Sequence, residues 1–324
     1  MTRYLIVRLL QALGVVVFVT TLSFVVVHLA PGDPIATSLQ GPGVTESVRQ
    51  HWRTEYALDR PIQEQYVRWV RLAARGDFGF SFSQRRPVRD VFADAMPRTL
   101  ALSGLAGMLS FLVGITVGLI QAERPNGARD RWLGRILLLL FSVPDFWLAL
   151  MVLLLFALRL HVLPAGGLHD PVMYDYMSIG EKLLDVLKHL ALPVLTLTVL
   201  TSASIARYQR AELLSVLPTD WMRTALAKGL SWRQAVRRHA FRNALLPTIT
   251  LLGTSLGLVA GGTIFVEQVF SWPGMGYVTV TAIHSRDYPL VTAGVLIMSV
   301  VVVCGALLAD VAVALADPRV RLRS

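Results

Sequence analysis

Long apolar stretches alternate along the chain with shorter polar and mostly basic ones. An α-helix needs about 20 apolar residues to cross a bilayer. Five stretches reach that length, at residues 9–30, 99–120, 136–158, 246–266 and 290–316. A shorter stretch at 190–206 contains Pro193, which a membrane helix tolerates where its neighbours satisfy the freed carbonyl. The pattern predicts an all-α polytopic membrane protein with six transmembrane helices in a single domain, residues 1–324.

Composition and charge agree with this class. Of 324 residues, 54% are hydrophobic and only 16% are charged, which is far from the balance of a soluble domain. The net charge is +10. Short loops rich in Lys and Arg, above all residues 207–245, are expected in the cytoplasm together with both termini, because basic loops stay inside. The charge therefore reflects orientation in the membrane, and no nucleic-acid partner is expected.

The first apolar stretch is too long for the core of a secretory signal, which spans about 7–15 residues. We therefore expect an uncleaved anchor helix followed by an external segment, residues 31–98. Thr45 is expected to cap one short helix there, and Pro61 to begin another in which Tyr66 and Trp69 share a face. This external helical insertion either lies on the outer leaflet or packs against the transmembrane helices.

One segment between two predicted spans contains six Lys or Arg residues and no acidic residue: RTALAKGLSWRQAVRRHAFRN, residues 223–243, here called the basic segment. Thr219 is expected to cap a first short helix and Gly229 to end it. Ser231 and Gln234 have the spacing of a capping box for a second helix. The segment is therefore predicted to form two short helices joined by a turn.

An acidic residue lies inside the third predicted span, in the sequence SVPDFW. At a rise of 1.5 Å per residue, Asp145 is about 13 Å into a hydrocarbon core about 30 Å thick. A charge at this depth is expected to face the bundle interior or a hydrated cavity. It either lines a pathway for a cationic substrate or makes a structural hydrogen bond to the backbone freed by Pro144 or to Trp147.

Glycine recurs every four residues in the fifth span, at Gly253, Gly257 and Gly261. Small residues at this spacing let two helices approach closely. This face is therefore predicted to lie at a tight helix interface, either as a moving surface or as a static packing surface.

The chain lacks the patterns of common catalytic and metal sites. It has no Gly-Lys pair, so the phosphate-binding loop of an ATPase is missing, and its seven histidines form no HExxH pattern. The single cysteine, Cys304, lies in the sixth span. We expect no catalytic residue, no metal and no cofactor in this chain. A transport function is favoured over a membrane enzyme.

Several sequence motifs are specific to one family. DWMRTALAKGLSWRQAVRRHAFRNALLP begins at residue 220 and EQVFSWPGMGYVTVTAIHSRDYPLV at residue 267, while PGDP, GDFGFSF and PRTLALS precede them. Along essentially its whole length the chain resembles the B-type permease subunits of the dipeptide, oligopeptide and nickel ABC importers.

The resemblance implies a type I ABC importer permease fold in the bacterial cytoplasmic (inner) membrane. It implies one half of a translocation pathway for peptides, or alternatively for nickel, another metal chelate or a small solute, working by alternating access. The implied partners are a homologous second permease, one or two ABC ATPase subunits that bind ATP and Mg, an extracellular or periplasmic substrate-binding protein, and membrane lipid.

The resemblance also gives the basic segment a role. In this family the corresponding loop carries the EAA motif, whose first helix docks into a groove on the ATPase. Here the expected ATPase-coupling residues are Arg223, Thr224, Ala225, Ala227, Lys228 and Gly229. Arg223 replaces the glutamate of the motif, so a contact based on that glutamate is not expected, whereas the small residues still permit close approach.

Overall fold

The described part of the chain is mostly helical. A computed structural model describes residues 2–29, 47, 50, 54, 59–245, 247–249 and 263–316. In chain order its elements are α1 (Thr2–Leu29), α2 (Ile62–Ala73), β1 (Phe80–Ser81), β2 (Arg86–Pro87), α3 (Val88–Ala122), α4 (Ala128–Ser142), α5 (Asp145–Val152), α6 (Ile179–Val216), α7 (Asp220–Ala227), α8 (Trp232–Ala235), α9 (Ile264–Val269), α10 (Met275–His284) and α11 (Tyr288–Ala316). Helices α5 and α8 continue as π-helical turns, Leu153–Arg159 and Val236–Ala240, and a 3-10 turn covers Tyr174–Tyr176.

Four helices are long and apolar enough to cross a membrane: α1 over Ile6–Leu29, α3, α6, and α11 over Tyr288–Leu308. Helices α4 and α5, the latter with its π-helical turn, meet the same criterion as a pair. The described residues thus contain four candidate spans, or five if that pair is one span, and the all-α polytopic class is confirmed. The predicted span 246–266 lies mostly outside the described residues.

The predicted span 136–158 is divided between two helices. Helices α4 and α5 are bent by 103° relative to each other, because Val143 and Pro144 both have extended backbones, with ψ of 129° and 139°. Proline disfavours helical backbone in the residue before it and has no N–H. The N–H of Val143 bonds to the Leu140 carbonyl at 3.4 Å instead. Pro144 therefore separates two helices rather than bending one.

Two other predicted spans lie inside longer helices. Residues 99–120 belong to α3 and residues 190–206 to α6, which has 38 residues. A capping box starts α6 among polar residues: the Ser178 hydroxyl accepts from the Glu181 N–H, and the Glu181 carboxylate accepts from the Ser178 N–H at 2.8 Å. Helix α6 thus begins well before its apolar stretch, because a local cap and not hydropathy sets its start.

The chain divides into two compact units. The first contains residues 1–99 and 273–304, and the second contains residues 100–272 and 305–324. Helix α3 contributes residues to both units.

A buried carboxylate holds distant parts of the first unit together. Strands β1 and β2 pair antiparallel, with Ser81 opposite Arg86. Asp287 accepts hydrogen bonds from the Ser81 hydroxyl (2.7 Å) and from the N–H (2.9 Å) and hydroxyl (2.7 Å) of Ser83. Asp287 also accepts from the Leu290 N–H at 3.3 Å. These bonds connect the hairpin to the first turn of α11.

Helix α2 packs on α1 within the first unit. The hydroxyls of Thr21 and Tyr66 are 2.6 Å apart, and the rings of Phe24 and Tyr66 meet edge to face with centroids 5.3 Å apart. Trp69 lies 5.7 Å from the Phe24 ring. Of the two expectations for this helix, the structure supports packing against a transmembrane helix.

In the second unit α3 and α6 pack backbone to backbone. A β-carbon at Gly118 would lie 2.8 Å from the Ala206 carbonyl oxygen, and one at Gly114 would lie 2.6 Å from the Ile205 β-carbon. These distances leave no room for a side chain, so two glycines four residues apart permit the close approach. Buried apolar side chains extend the core of this unit, among them Leu102, Ala149, Leu192, Val266, Phe270 and Trp272.

Candidate functional site

The basic segment folds as the two short helices that its sequence predicts, α7 and α8, although one of the predicted caps is absent. The Thr219 backbone occupies the N-cap position of α7, but its side chain accepts no hydrogen bond from the first turn. Its hydroxyl donates to the Val216 carbonyl at 2.6 Å instead. The predicted side-chain cap at Thr219 was therefore wrong, because the hydroxyl points toward the preceding turn and bonds to the backbone there.

The turn between the two helices is fixed by local geometry. Gly229 has a φ of +86°. Its N–H donates to the Leu226 carbonyl at 2.9 Å, and the Leu230 N–H donates to the Ala225 carbonyl at 3.4 Å. This bond pattern is the Schellman ending of a helix, which requires a left-handed residue at this position. The predicted end of α7 at Gly229 is confirmed.

The predicted capping box of α8 is also confirmed. The Ser231 hydroxyl accepts from the Gln234 N–H at 3.4 Å, and the Gln234 side-chain oxygen accepts from the Ser231 N–H at 3.1 Å. The turn and this box together fix the orientation of α8 relative to α7.

Helix α7 has one inner and one outer face. Met222 (1% exposed) and Ala225 (6% exposed) pack in a core with Ala122, Leu213 and Val236. The other five predicted coupling residues, Arg223, Thr224, Ala227, Lys228 and Gly229, are exposed. We call these five the coupling face. Ala225 therefore supports the helix from below, and its methyl group is not available to a partner.

A buried glutamate anchors α8. The carboxylate of Glu123, which follows α3, accepts hydrogen bonds from Arg233 Nε at 3.1 Å and from Arg237 Nε. Arg233 Nη2 lies 3.0 Å from the same carboxylate. The indole N–H of Trp232 donates to the Glu123 carbonyl at 2.9 Å. The side chain of Glu123 is only 6% exposed, whereas those of Arg233 and Arg237 are more than half exposed.

A second buried carboxylate lies at the start of α4. Asp130 is 4% exposed and accepts two parallel hydrogen bonds of 2.7 Å from the guanidinium of Arg210 on α6. It also accepts from Gln121 Nε2 at 3.1 Å and from the Asn126 N–H at 2.9 Å. This bidentate arginine–carboxylate geometry is among the strongest forms of a charge-assisted hydrogen bond. The end of α3, the start of α4 and helix α6 are therefore held together at Asp130.

Asp145 is the exposed first residue of α5. Within the described residues its carboxylate has no hydrogen bond or ion pair, so the expected structural bond to Trp147 or to the nearby backbone is not found. The N–H groups of Trp147 and Leu148 bond to the Pro144 carbonyl instead. A role for Asp145 in the pathway stays a prediction.

The glycine face Gly253, Gly257 and Gly261 lies outside the described residues, so the interface expected there also stays a prediction. In the part of the chain that the structure describes, no group of three or more His, Cys, Asp and Glu residues is arranged to hold a metal ion.

Two family models cover nearly all of the chain. Residues 114–322 match the binding-protein-dependent transport system inner membrane component, and residues 1–103 match the N-terminal part of such components. The chain belongs to this family. It is a permease component of an ABC importer, a transport subunit rather than an enzyme, and a multi-pass protein of the inner membrane.

Relatives of this permease match it from end to end. It is 37% identical to a putative peptide permease protein of Brucella ovis over 99% of this chain and 100% of the relative. It is 34% identical to the oligopeptide transport system permease AppB of Bacillus subtilis over 99% of both chains, and 35% identical to the glutathione transport system permease GsiC of Escherichia coli K12 over 100% of both.

A solved structure shares the fold of the permease. The match is to the MetNI methionine ABC transporter in inward-facing conformations, with a TM-score of 0.56 and 18% sequence identity, and it covers 70% of this chain and 96% of the other. At this identity the likeness shows the fold alone, and it agrees with the type I importer fold that the sequence implied.

Proposed function

We propose that this permease subunit forms one half of the translocation pathway of an ATP-driven importer of peptides. The observation that carries the substrate class is the end-to-end similarity, at 34–37% identity, to relatives that are named as peptide, oligopeptide and glutathione permeases. Nickel, another metal chelate or a small solute carried by the same machinery is the alternative. These relatives' names favour peptides.

The substrate is best identified on the partner that captures it. The substrate-binding protein of the system is purified from cells, and the molecules that it retains are identified by mass spectrometry. Uptake by the reconstituted importer is then measured for peptides and for Ni²⁺. Retained peptides and peptide uptake support the proposal, whereas Ni²⁺ uptake without peptide uptake contradicts it.

The coupling face is proposed to dock on a separate ATPase subunit. It presents the small residues Thr224, Ala227 and Gly229 together with the cationic side chains of Arg223 and Lys228. Small residues permit close backbone approach, and the cations offer partners for acidic groups. The core beneath α7 holds this surface in one conformation, so little ordering is needed on binding.

A bulky substitution on the coupling face tests the docking. Ala227→Trp places a large side chain on the exposed face without disturbing the core below. We expect the ATPase affinity to fall by about tenfold or more, because overpacking an interface costs about 1–3 kcal/mol. Ala211→Trp, at an exposed alanine on α6, is the matched control. Equal co-purification of the ATPase with both variants would contradict the proposal.

Further partners follow from the family. The permease is proposed to pair with a homologous second permease, with the glycine face of the fifth span at or near that interface, and to receive substrate from an external binding protein. Movement of the docked ATPases would then open the pathway alternately to either side of the membrane.

A further inference from the structure

We propose that Glu123 is a positioning residue that transmits movement of the basic segment to the transmembrane helices. The proposal rests on the docking function given above, because the movement starts at the coupling face. It concerns the short connection between α3 and α4, residues 123–127, here called the α3–α4 turn.

The first support is the burial of the Glu123 carboxylate. A carboxylate with 6% exposure in a protein interior requires compensating charge. Both compensating guanidinium groups, those of Arg233 and Arg237, come from the basic segment. These residues are four apart on one helical stretch, so they lie on the same side and reach the carboxylate together. The turn is therefore bound electrostatically to α8.

The second support is that the connection to α8 has three points. The Trp232 indole holds the Glu123 backbone, while the two arginines hold its side chain. Three bonds to one residue restrict rotation as well as translation. A displacement of α8 must therefore displace the α3–α4 turn.

The third support is the connection from the turn to the spans. Helix α3 ends and α4 begins at this turn, and Asp130 in the first turn of α4 is bound by Arg210 of α6 with two bonds of 2.7 Å. Further along α3, Gly118 packs against the backbone of α6 at Ala206. A displaced turn therefore acts on α3, α4 and α6 together.

The alternative is that Glu123 only stabilises the fold of the loop. The two roles differ in what the complete importer does with ATP. A transmitting residue sets how much substrate is moved per ATP hydrolysed, while docking of the ATPase stays intact. A residue that only supports the docking surface affects ATPase binding first.

The test uses the complete importer in proteoliposomes, with both permeases, the ATPases and the binding protein. Glu123→Gln and Arg237→Gln remove the charge from either partner. Arg135→Gln removes one exposed positive charge from α4, outside the basic segment, and serves as the control. ATPase co-purification, ATP hydrolysis and peptide uptake are measured for each variant.

We expect both variants to retain the ATPase and to hydrolyse ATP, while the uptake per ATP falls about tenfold, the change that loss of one charge-assisted hydrogen bond produces. The control variant Arg135→Gln is expected to keep the ratio of peptide uptake to ATP hydrolysis that the unmodified importer has. The double variant Glu123→Gln, Arg237→Gln is expected to be no worse than Glu123→Gln alone, because Glu123→Gln already removes the pair with Arg237 as well as the pair with Arg233.

An unchanged ratio of uptake to hydrolysis in Arg237→Gln, or additive losses in the double variant, would overturn the proposal. Arg237 is exposed, so this variant is informative even where Glu123→Gln does not fold. Loss of ATPase binding in both variants would assign Glu123 to support of the docking surface and also overturn it. The docking proposal itself is judged separately, by Ala227→Trp.

Discussion

Gly229 has a backbone conformation that other residue types adopt only with strain. With a φ of +86° it closes the Schellman turn at the end of α7. A β-carbon there would have no atom within 4 Å, so a substitution creates no clash. Any effect of this substitution on the stability of the permease chain by itself must therefore come from the backbone.

Substitutions at Gly229 therefore test backbone strain without adding a clash inside the chain. Gly229→Ala is expected to destabilise the turn by about 1–2 kcal/mol, the penalty of left-handed backbone for an L-residue. Gly229→Asn is expected to lose less, because Asn visits this region more readily. Thermal unfolding and limited proteolysis of the solubilised permease, without the ATPase, show which of the two variants loses more stability. Equal losses in the two variants would mean that backbone strain is not the cause.

Glu123 shows which residue-scale features the sequence does not reveal. Its partners Arg233 and Arg237 are 110 and 114 positions away along the chain. Helical periodicity and capping patterns describe neighbours within a few residues, so they carry no information on such a pair. The available signal is compositional: Glu123 and Asp130 are the two acidic residues in the otherwise basic stretch 123–135, and both are buried and paired.

At the scale of elements, the contact between α3 and α6 gives a matched comparison inside one helix. A β-carbon at Gly118 would lie 2.8 Å from a backbone oxygen of α6, whereas one at Gly104 would have no atom within 4 Å. Gly104→Ala is expected to raise stability by about 0.5–1 kcal/mol through helix propensity. Gly118→Ala is expected to lower it by about 1–3 kcal/mol, because the helices must separate.

Unfolding midpoints of the two variants in the same detergent measure this difference. The opposite signs of the two stability changes matter more than their sizes, because both substitutions add the same methyl group to the same helix. If Gly118→Ala were no less stable than Gly104→Ala, α3 and α6 could not approach each other as closely as described.

Elements were predictable where a local interaction fixes them. The end of α7 at Gly229 and the Ser231 capping box depend on residues within one turn, and both follow from the sequence. Span limits were less predictable, since caps such as Ser178 extend α6 beyond its apolar stretch and Pro144 divides a continuous apolar run. Gly114 and Gly118 have the same four-residue spacing as the glycines singled out in the fifth span. The sequence therefore already contained the pattern that indicates a close helix approach.

At the scale of the whole molecule, the limits of the two family models differ from the limits of the two compact units. The N-terminal family model ends at residue 103, close to the limit of the first unit at residue 99. That unit also contains residues 273–304, which belong to the second family model. The Asp287 bonds to Ser81 and Ser83 explain why, since they join the two chain segments across more than 200 positions. Local sequence patterns do not contain such a pairing.

Orientation in the membrane is also a property of the whole molecule, and helix α6 provides the test. Its 38 residues extend about 57 Å at 1.5 Å per residue, which exceeds a hydrocarbon core of about 30 Å. Tyr176, 85% exposed, lies just before α6, and the exposed Ser215 lies in its last turn. If both termini are cytoplasmic, Tyr176 is external and Ser215 is internal.

Cysteine labelling measures this directly. In a Cys304→Ser background, which removes the native exposed thiol, Tyr176→Cys or Ser215→Cys adds one cysteine at either end of α6. A membrane-impermeant thiol reagent added to intact spheroplasts is expected to label the Tyr176→Cys variant at once, and the Ser215→Cys variant only after permeabilisation, because the basic segment that follows Ser215 is retained on the cytoplasmic side. The reverse order of labelling would place that segment outside, where no ATPase can reach the coupling face, and the proposed docking would fail with it.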